Sequence, residues 1–79
     1  MRVELRIFKE CKYVSVEEPK RFEYEIDGFE VVHGDKAKEI EALTDGSCID
    51  EYHEYLVVKF ADGSTSTYRN SHVDMHEAR

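Results

Sequence analysis

Hydrophobic and polar positions alternate with a period of two over much of this chain. In residues 2–8, Val3, Leu5 and Ile7 fall on one side and Arg2, Glu4 and Arg6 on the other. That is the pattern of a half-buried strand. Residues 13–17 predict a second strand, with Val14 and Val16 directed inward. Residues 22–26 alternate again, Asp27-Gly28 follows, and residues 29–33 continue the alternation. Asp-Gly is a preferred pair for a two-residue hairpin loop, because both residues tolerate positive φ. The predicted hairpin pairs Ile26 with Phe29 and Tyr24 with Val31. It places Phe22, Tyr24, Ile26, Phe29 and Val31 on one face and Glu23, Glu25, Glu30 and Val32 on the other, with Glu30 facing Glu25.

Beyond residue 34 the period lengthens. Ala37, Ile40 and Leu43 recur at i, i+3 and i+6, which predicts a short helix over residues 36–43 capped by Asp35 and ended near Gly46. Residues 55–60 are apolar and β-branched and predict a buried strand. Asp62-Gly63 turns it, and residues 65–69 return as a polar edge strand. Two registers are open. A two- or four-residue loop pairs Phe60 with Thr65, whereas a three-residue loop with a glycine bulge pairs it with Ser64 and puts Tyr68 on the opposite face. The polar residues 70–79 predict a fraying end, with 72–79 as its tail. The expected fold class is α+β: an antiparallel sheet of five to six strands, built from two to three hairpins, packed against one short α-helix in the order β-β-β-β-α-β-β.

Length changes this picture little. Seventy-nine residues make one small domain with a thin core, to which a homodimer interface could add stability. The chain opens on charged, alternating residues and has no long apolar run, so the expectation is a cytoplasmic protein that does not enter a membrane. In such a compartment Cys11 and Cys48 are expected as free thiols.

Charge changes the picture more. The net charge is −7, and it is uneven. Residues 23–54 hold eleven acids and two bases, so −9; the remainder holds nine bases and seven acids, so +2. Phosphates and anionic lipids repel such a chain, which argues against direct nucleic-acid binding. The acidic stretch instead suits a basic protein partner. Glu23, Glu25, Glu30, Asp45, Asp50, Glu51 and Glu54 are the expected contact residues. Rows of carboxylates imitate nucleic-acid phosphates and can fill a basic groove of a nucleic-acid-handling protein, the manner of small inhibitors carried by phages and mobile elements.

Chemistry-bearing motifs are weak. His72 and His76 have the spacing that shares a helical face, and Cys48, His53 and Glu54 could join them, but no paired CxxC or HExxH spacing backs a metal site. Cys48, Asp50 and His53 contain the groups of a thiol–imidazole pair without a surrounding motif. No glycine-rich phosphate loop occurs. The expectation is therefore a non-enzymatic binding module without cofactor or metal. A second reading gathers Tyr68, Arg69, Asn70 and His72 as a site for a small anionic or nucleotide-like ligand, since arginine suits phosphate and carboxylate.

Overall fold

A computed structural model describes residues 1–37, 43 and 49–78 of the chain. Five strands form one antiparallel sheet: β1 (Arg2–Ile7), β2 (Lys20–His33), β3 (Glu54–Phe60), β4 (Thr65–Arg69) and β5 (Val73–Glu77). Their order across the sheet is β4-β3-β2-β1-β5. The described residues are nearly all sheet. Their only helical pieces are two 3-10 turns, Gly34–Lys36 and Asn70–His72.

The expected α+β class is thereby corrected to an all-β architecture. Asp35 and Lys36, expected to start a helix, lie inside the first 3-10 turn, and that turn is preceded by His33 without any side-chain cap. Residues 38–42 of the expected helix lie outside the described residues.

The Asp27-Gly28 hairpin is also corrected. The chain does not turn there. Residues 20–33 form a single strand whose first half pairs with β1 and whose second half pairs with β3, with a register shift between Ile26 and Gly28. The bulge inserts one extra residue, and this resets the alternation. Tyr24 and Phe22 lie opposite Val3 and Leu5; Phe29 and Val31 lie opposite Val58 and Leu56. The five apolar residues thus share the core-facing side, as the alternation requires. Glu25 and Glu30 never oppose each other: Glu25 pairs with Arg2 and Glu30 with Val57. β2 therefore bends at its centre and belongs to two three-stranded halves, a recognised way for one strand to turn a sheet corner.

Curvature is forced by the connection between β4 and β5. These strands sit at opposite edges of the sheet, yet only Asn70–His72 separates them. A flat sheet would hold its outer strands about 19 Å apart, at ~4.8 Å per neighbour. Four residue steps reach about 14 Å even fully extended. The sheet consequently curls into a small, partly open barrel. Val3, Leu5, Ile26, Leu56, Val58 and Val73, drawn from four strands, meet in one core cluster inside it. On the other face of β3, Tyr55 and Val57 are also buried. Tyr55 is fully enclosed, and its phenolic oxygen accepts a hydrogen bond from the Asp50 N–H at 2.9 Å.

The Asp62-Gly63 hairpin forms as the sequence predicts, in the three-residue register. Lys59 pairs with Thr65, and the Phe60 N–H donates to the Ser64 carbonyl at 2.8 Å. Gly63 takes a φ of 91°, and the Asp62 carboxylate accepts from the Ser64 N–H and hydroxyl. Tyr68 lies opposite Leu56, on the core face.

Two further expectations fail. Residues 13–17 make no strand; residues 8–19 form an irregular connection in which Val16 is 96% exposed. The expected tail is ordered too. Residues 73–77 are β5, paired with β1 along its length, and Val73 is a core residue. A short β5 with polar outward positions does not announce itself locally, because its stability comes from β1, more than sixty residues earlier in the chain.

Candidate functional site

The acidic positions come first, because the sequence singles them out. Glu23 and Glu25 project from the outer face of β2, where β1 supplies their partners. Arg2 binds Glu23 at 3.0 Å, and the N-terminal ammonium binds Glu25 at 3.0 Å. Arg6 does the same for Glu4 at 2.6 Å, and that contact draws the Glu4 carboxyl below its ordinary range. The expected bare row of carboxylates is a mixed ladder. Glu30, Glu51 and Glu54 are exposed and enter no ion pair among the described residues. Asp45 lies outside the described residues.

Asp50 has a different role. Its carboxylate contacts His53 Nδ1 at 2.6 Å and accepts from the Tyr52 N–H at 2.9 Å, with Arg69 3.7 Å away. The His53 contact, then the backbone bond, hold the Asp50 carboxyl below its ordinary value. Asp50 therefore pins the end of the β2–β3 connection against β3 and β4. Its backbone carbonyl also lies against Gly34, where a Cβ would come within 1.7 Å of that oxygen.

The alternative ligand site is divided by the sheet. Tyr68 faces the core side, whereas its neighbour Arg69 lies opposite Tyr55 on the outer side, beside Asp50. Arg69 Nε is buried without a hydrogen-bond partner among the described residues. Asn70 and His72 sit in the 3-10 turn that leads to β5, and the His72 carbonyl accepts from the Phe8 N–H. Tyr68 and Arg69 thus face opposite sides of the sheet. No group of three metal-ligating side chains forms among the described residues; His72 is in a turn and His76 on β5, so they share no helical face. Cys48 lies outside the described residues.

One concave feature collects residues from three strands. A surface groove of about 420 Å³ is lined by Tyr24, Phe60 and Tyr68, together with Glu25, Asp62 and Ser66; the Glu25 carboxylate is the one paired with the N-terminal ammonium. Its aromatic wall is built. The Tyr24 and Phe60 rings are 4.9 Å apart and tilted by 58°, and Phe22 stacks beyond Tyr24 at 6.2 Å. The bend of β2 and the hairpin register create this wall. Tyr24 lies one residue before the end of the β1-paired half, Phe60 ends β3, and Tyr68 comes from β4. The sequence reading named Tyr68 and Glu25 separately. It had no means of joining them to Phe60 and Tyr24, because the convergence depends on the curl.

An aromatic face carries negative quadrupolar charge and attracts cations, and carboxylates in the same lining add to that attraction. The groove is open; its lining carries the hydroxyls of Ser64, Ser66, Tyr24 and Tyr68, and no group of three metal-ligating side chains forms among the described residues. Among the described residues, no helix is long and apolar enough to cross a membrane. The chain matches no family model, no curated protein and no solved structure.

Proposed function

We propose that the protein is a non-enzymatic interaction module that holds an extended basic segment of a larger protein in the Tyr24–Phe60–Tyr68 groove. The observation that carries this reading is the aromatic wall, with Glu25 and Asp62 among the residues lining the same groove. The net charge of −7 supports it at longer range, since opposite potentials steer a basic partner toward the surface. A partner that handles nucleic acid fits this chemistry, because such proteins present basic surfaces. The acids at the groove are Glu25 and Asp62, while Glu30, Glu51 and Glu54 contribute only to the overall negative charge.

Calorimetry tests it. A ten-residue lysine- and arginine-rich peptide should bind the protein, and a glutamate-rich peptide of equal length should not. Replacing Glu25 and Asp62 with lysine should weaken binding about tenfold or more, which is about 1.4 kcal/mol, while the thermal midpoint confirms folding. Raising the salt concentration should weaken it further. Equal binding of both peptides, or unchanged binding by the double variant, removes the proposal.

A further inference from the structure

Among the described residues, β2 has an open edge on the side away from the groove. Its first half is covered by β1, whose pairing ends at Arg2 opposite Glu25; the Met1 carbonyl closes the ladder on the Ile26 N–H. Past the bulge, β2 pairs only with β3 among the described residues. The phase of that pairing decides which backbone groups are free. The Gly34 N–H donates to the His53 carbonyl at 2.8 Å, and the register runs unbroken from His33↔Glu54 to Gly28↔Lys59. In an antiparallel ladder, hydrogen-bonded and non-hydrogen-bonded pairs alternate. Gly28, Glu30 and Val32 therefore direct their N–H and C=O groups at β3. Phe29, Val31 and His33 direct theirs outward. That leaves three donors and three acceptors in a row, none of them bonded within the described structure.

Of the side chains along this edge, His33 contacts the Asp35 carboxylate at 2.9 Å. Phe29 and Val31 share the face of Leu56 and Val58, but they are 50% and 52% exposed, whereas Val58 is fully enclosed. Edge strands are normally blunted by lysine, proline, a bulge or a covering segment. Residues 29–33 contain neither lysine nor proline, and the bulge lies before them. On the opposite face stands Glu30, with Asp27 and Asp35 at the two ends. An incoming strand that fits must be apolar on one face and basic on the other.

A second copy of this chain fits less well. Antiparallel pairing about a two-fold axis at Glu30 sets that carboxylate against its own copy. An axis at Val31 sets Asp27 against Asp35. Like charges directly opposite are unfavourable, and each copy adds a charge of −7.

We propose that residues 29–33 form a docking edge that takes a basic, alternating strand of a partner protein by strand addition. Main-chain groups of Phe29, Val31 and His33 supply the ladder. Phe29 and Val31 receive the apolar side chains of the added strand, and Glu30 receives its lysine or arginine. This edge and the groove lie on opposite sides of β2, so the proposal stands independently of the groove.

Amide hydrogen exchange on the full chain tests it, with a ten-residue peptide alternating valine and lysine as the probe. In the free protein, the amides of Phe29, Val31 and His33 should exchange fast while those of Glu30 and Val32 are protected. Saturating peptide should slow the first three at least tenfold. A valine–glutamate peptide should leave them unchanged. Val31→Pro removes one outward N–H and no bond within the sheet, so it should abolish the protection with the fold retained. Val31→Lys, at an exposed side chain, should weaken it by charge repulsion and serves where the proline variant does not fold. Failure of the lysine peptide to protect these amides overturns the proposal, as does equal protection by the glutamate peptide. Protection that rises with protein concentration alone assigns the edge to a second copy and overturns the partner as stated.

Discussion

Gly28 and Gly63 both follow an aspartate, but only Gly63 has a positive φ, at 91°. A Cβ added at Gly28 would meet nothing within 4 Å. Gly63→Ala should therefore cost about 1–2 kcal/mol, the penalty of a left-handed alanine. Gly28→Ala should be neutral or stabilising by a few tenths of a kcal/mol, because only the unfolded chain loses freedom. Urea denaturation of the two variants checks the contrast, and equal losses would restore a turn at residue 28. Gly34 is constrained for a different reason. A Cβ there would strike the Asp50 carbonyl, so Gly34→Ala should cost about 3 kcal/mol through displacement of the β2–β3 connection. Four carboxyls are held below their ordinary range: Glu4 by Arg6, Asp35 by His33, Asp50 by His53 and Asp62 by Ser64. A folded pKa below the unfolded value gives stability above the unfolded pKa, lost as pH falls through the folded one. The thermal midpoint should thus decline below about pH 4 and stay nearly level above it up to neutrality; a midpoint that holds steady into acid would show that these contacts contribute nothing.

At the scale of elements, β1, β3 and the β3–β4 hairpin were legible in the sequence because their signals are local. β3 is an unbroken run of Tyr55, Leu56, Val57 and Val58, and Asp62-Gly63 carries its own turn chemistry. β2 was legible only in which residues share a face. Its continuity through Asp27-Gly28 comes from two partners, β1 and β3, that lie far away along the chain, and distant pairing outweighs a local turn preference. Residues 8–19 show the reverse case. Val14 and Val16 alternate like strand residues, yet that segment is fixed by other bonds: the Lys12 N–H to the Ser71 carbonyl, and Lys12 Nζ to the Val73 carbonyl and the Asp74 carboxylate. Burial pushes the Lys12 ammonium pKa down, but the hydrogen bond and charge of Asp74 outweigh it and the net shift is upward. A raised folded pKa gives stability that is complete below the unfolded value and lost as pH rises through the folded one. Lys12→Met should cost about 1.5 kcal/mol. It should also speed amide exchange at Lys12 and Val14 while leaving β3 and β4 protected. Unchanged exchange at those two amides would show that the tether is not what orders the connection.

For the whole molecule, curvature decides what can function. The short β4–β5 link curls the sheet, and the curl assembles Tyr24, Phe60 and Tyr68 into one wall. Sequence patterning carries no information on that angle, so it named Tyr68 and the acids without the groove that unites some of them. The strand pleat separates Tyr68 from Arg69, and the pairing of β1 with β2 gives Glu23 and Glu25 Arg2 and the N-terminal ammonium as partners. The charge of −7 remains a property of the whole chain and favours a basic partner at both the groove and the β2 edge. The most direct test is a titration of the isotope-labelled protein with the lysine- and arginine-rich peptide, followed by backbone amide shifts at low and high salt. Binding in the groove predicts the largest shifts at residues 24–25 and 60–68, reduced at high salt. Shifts absent from those two segments, or reproduced by the glutamate-rich peptide, would contradict it.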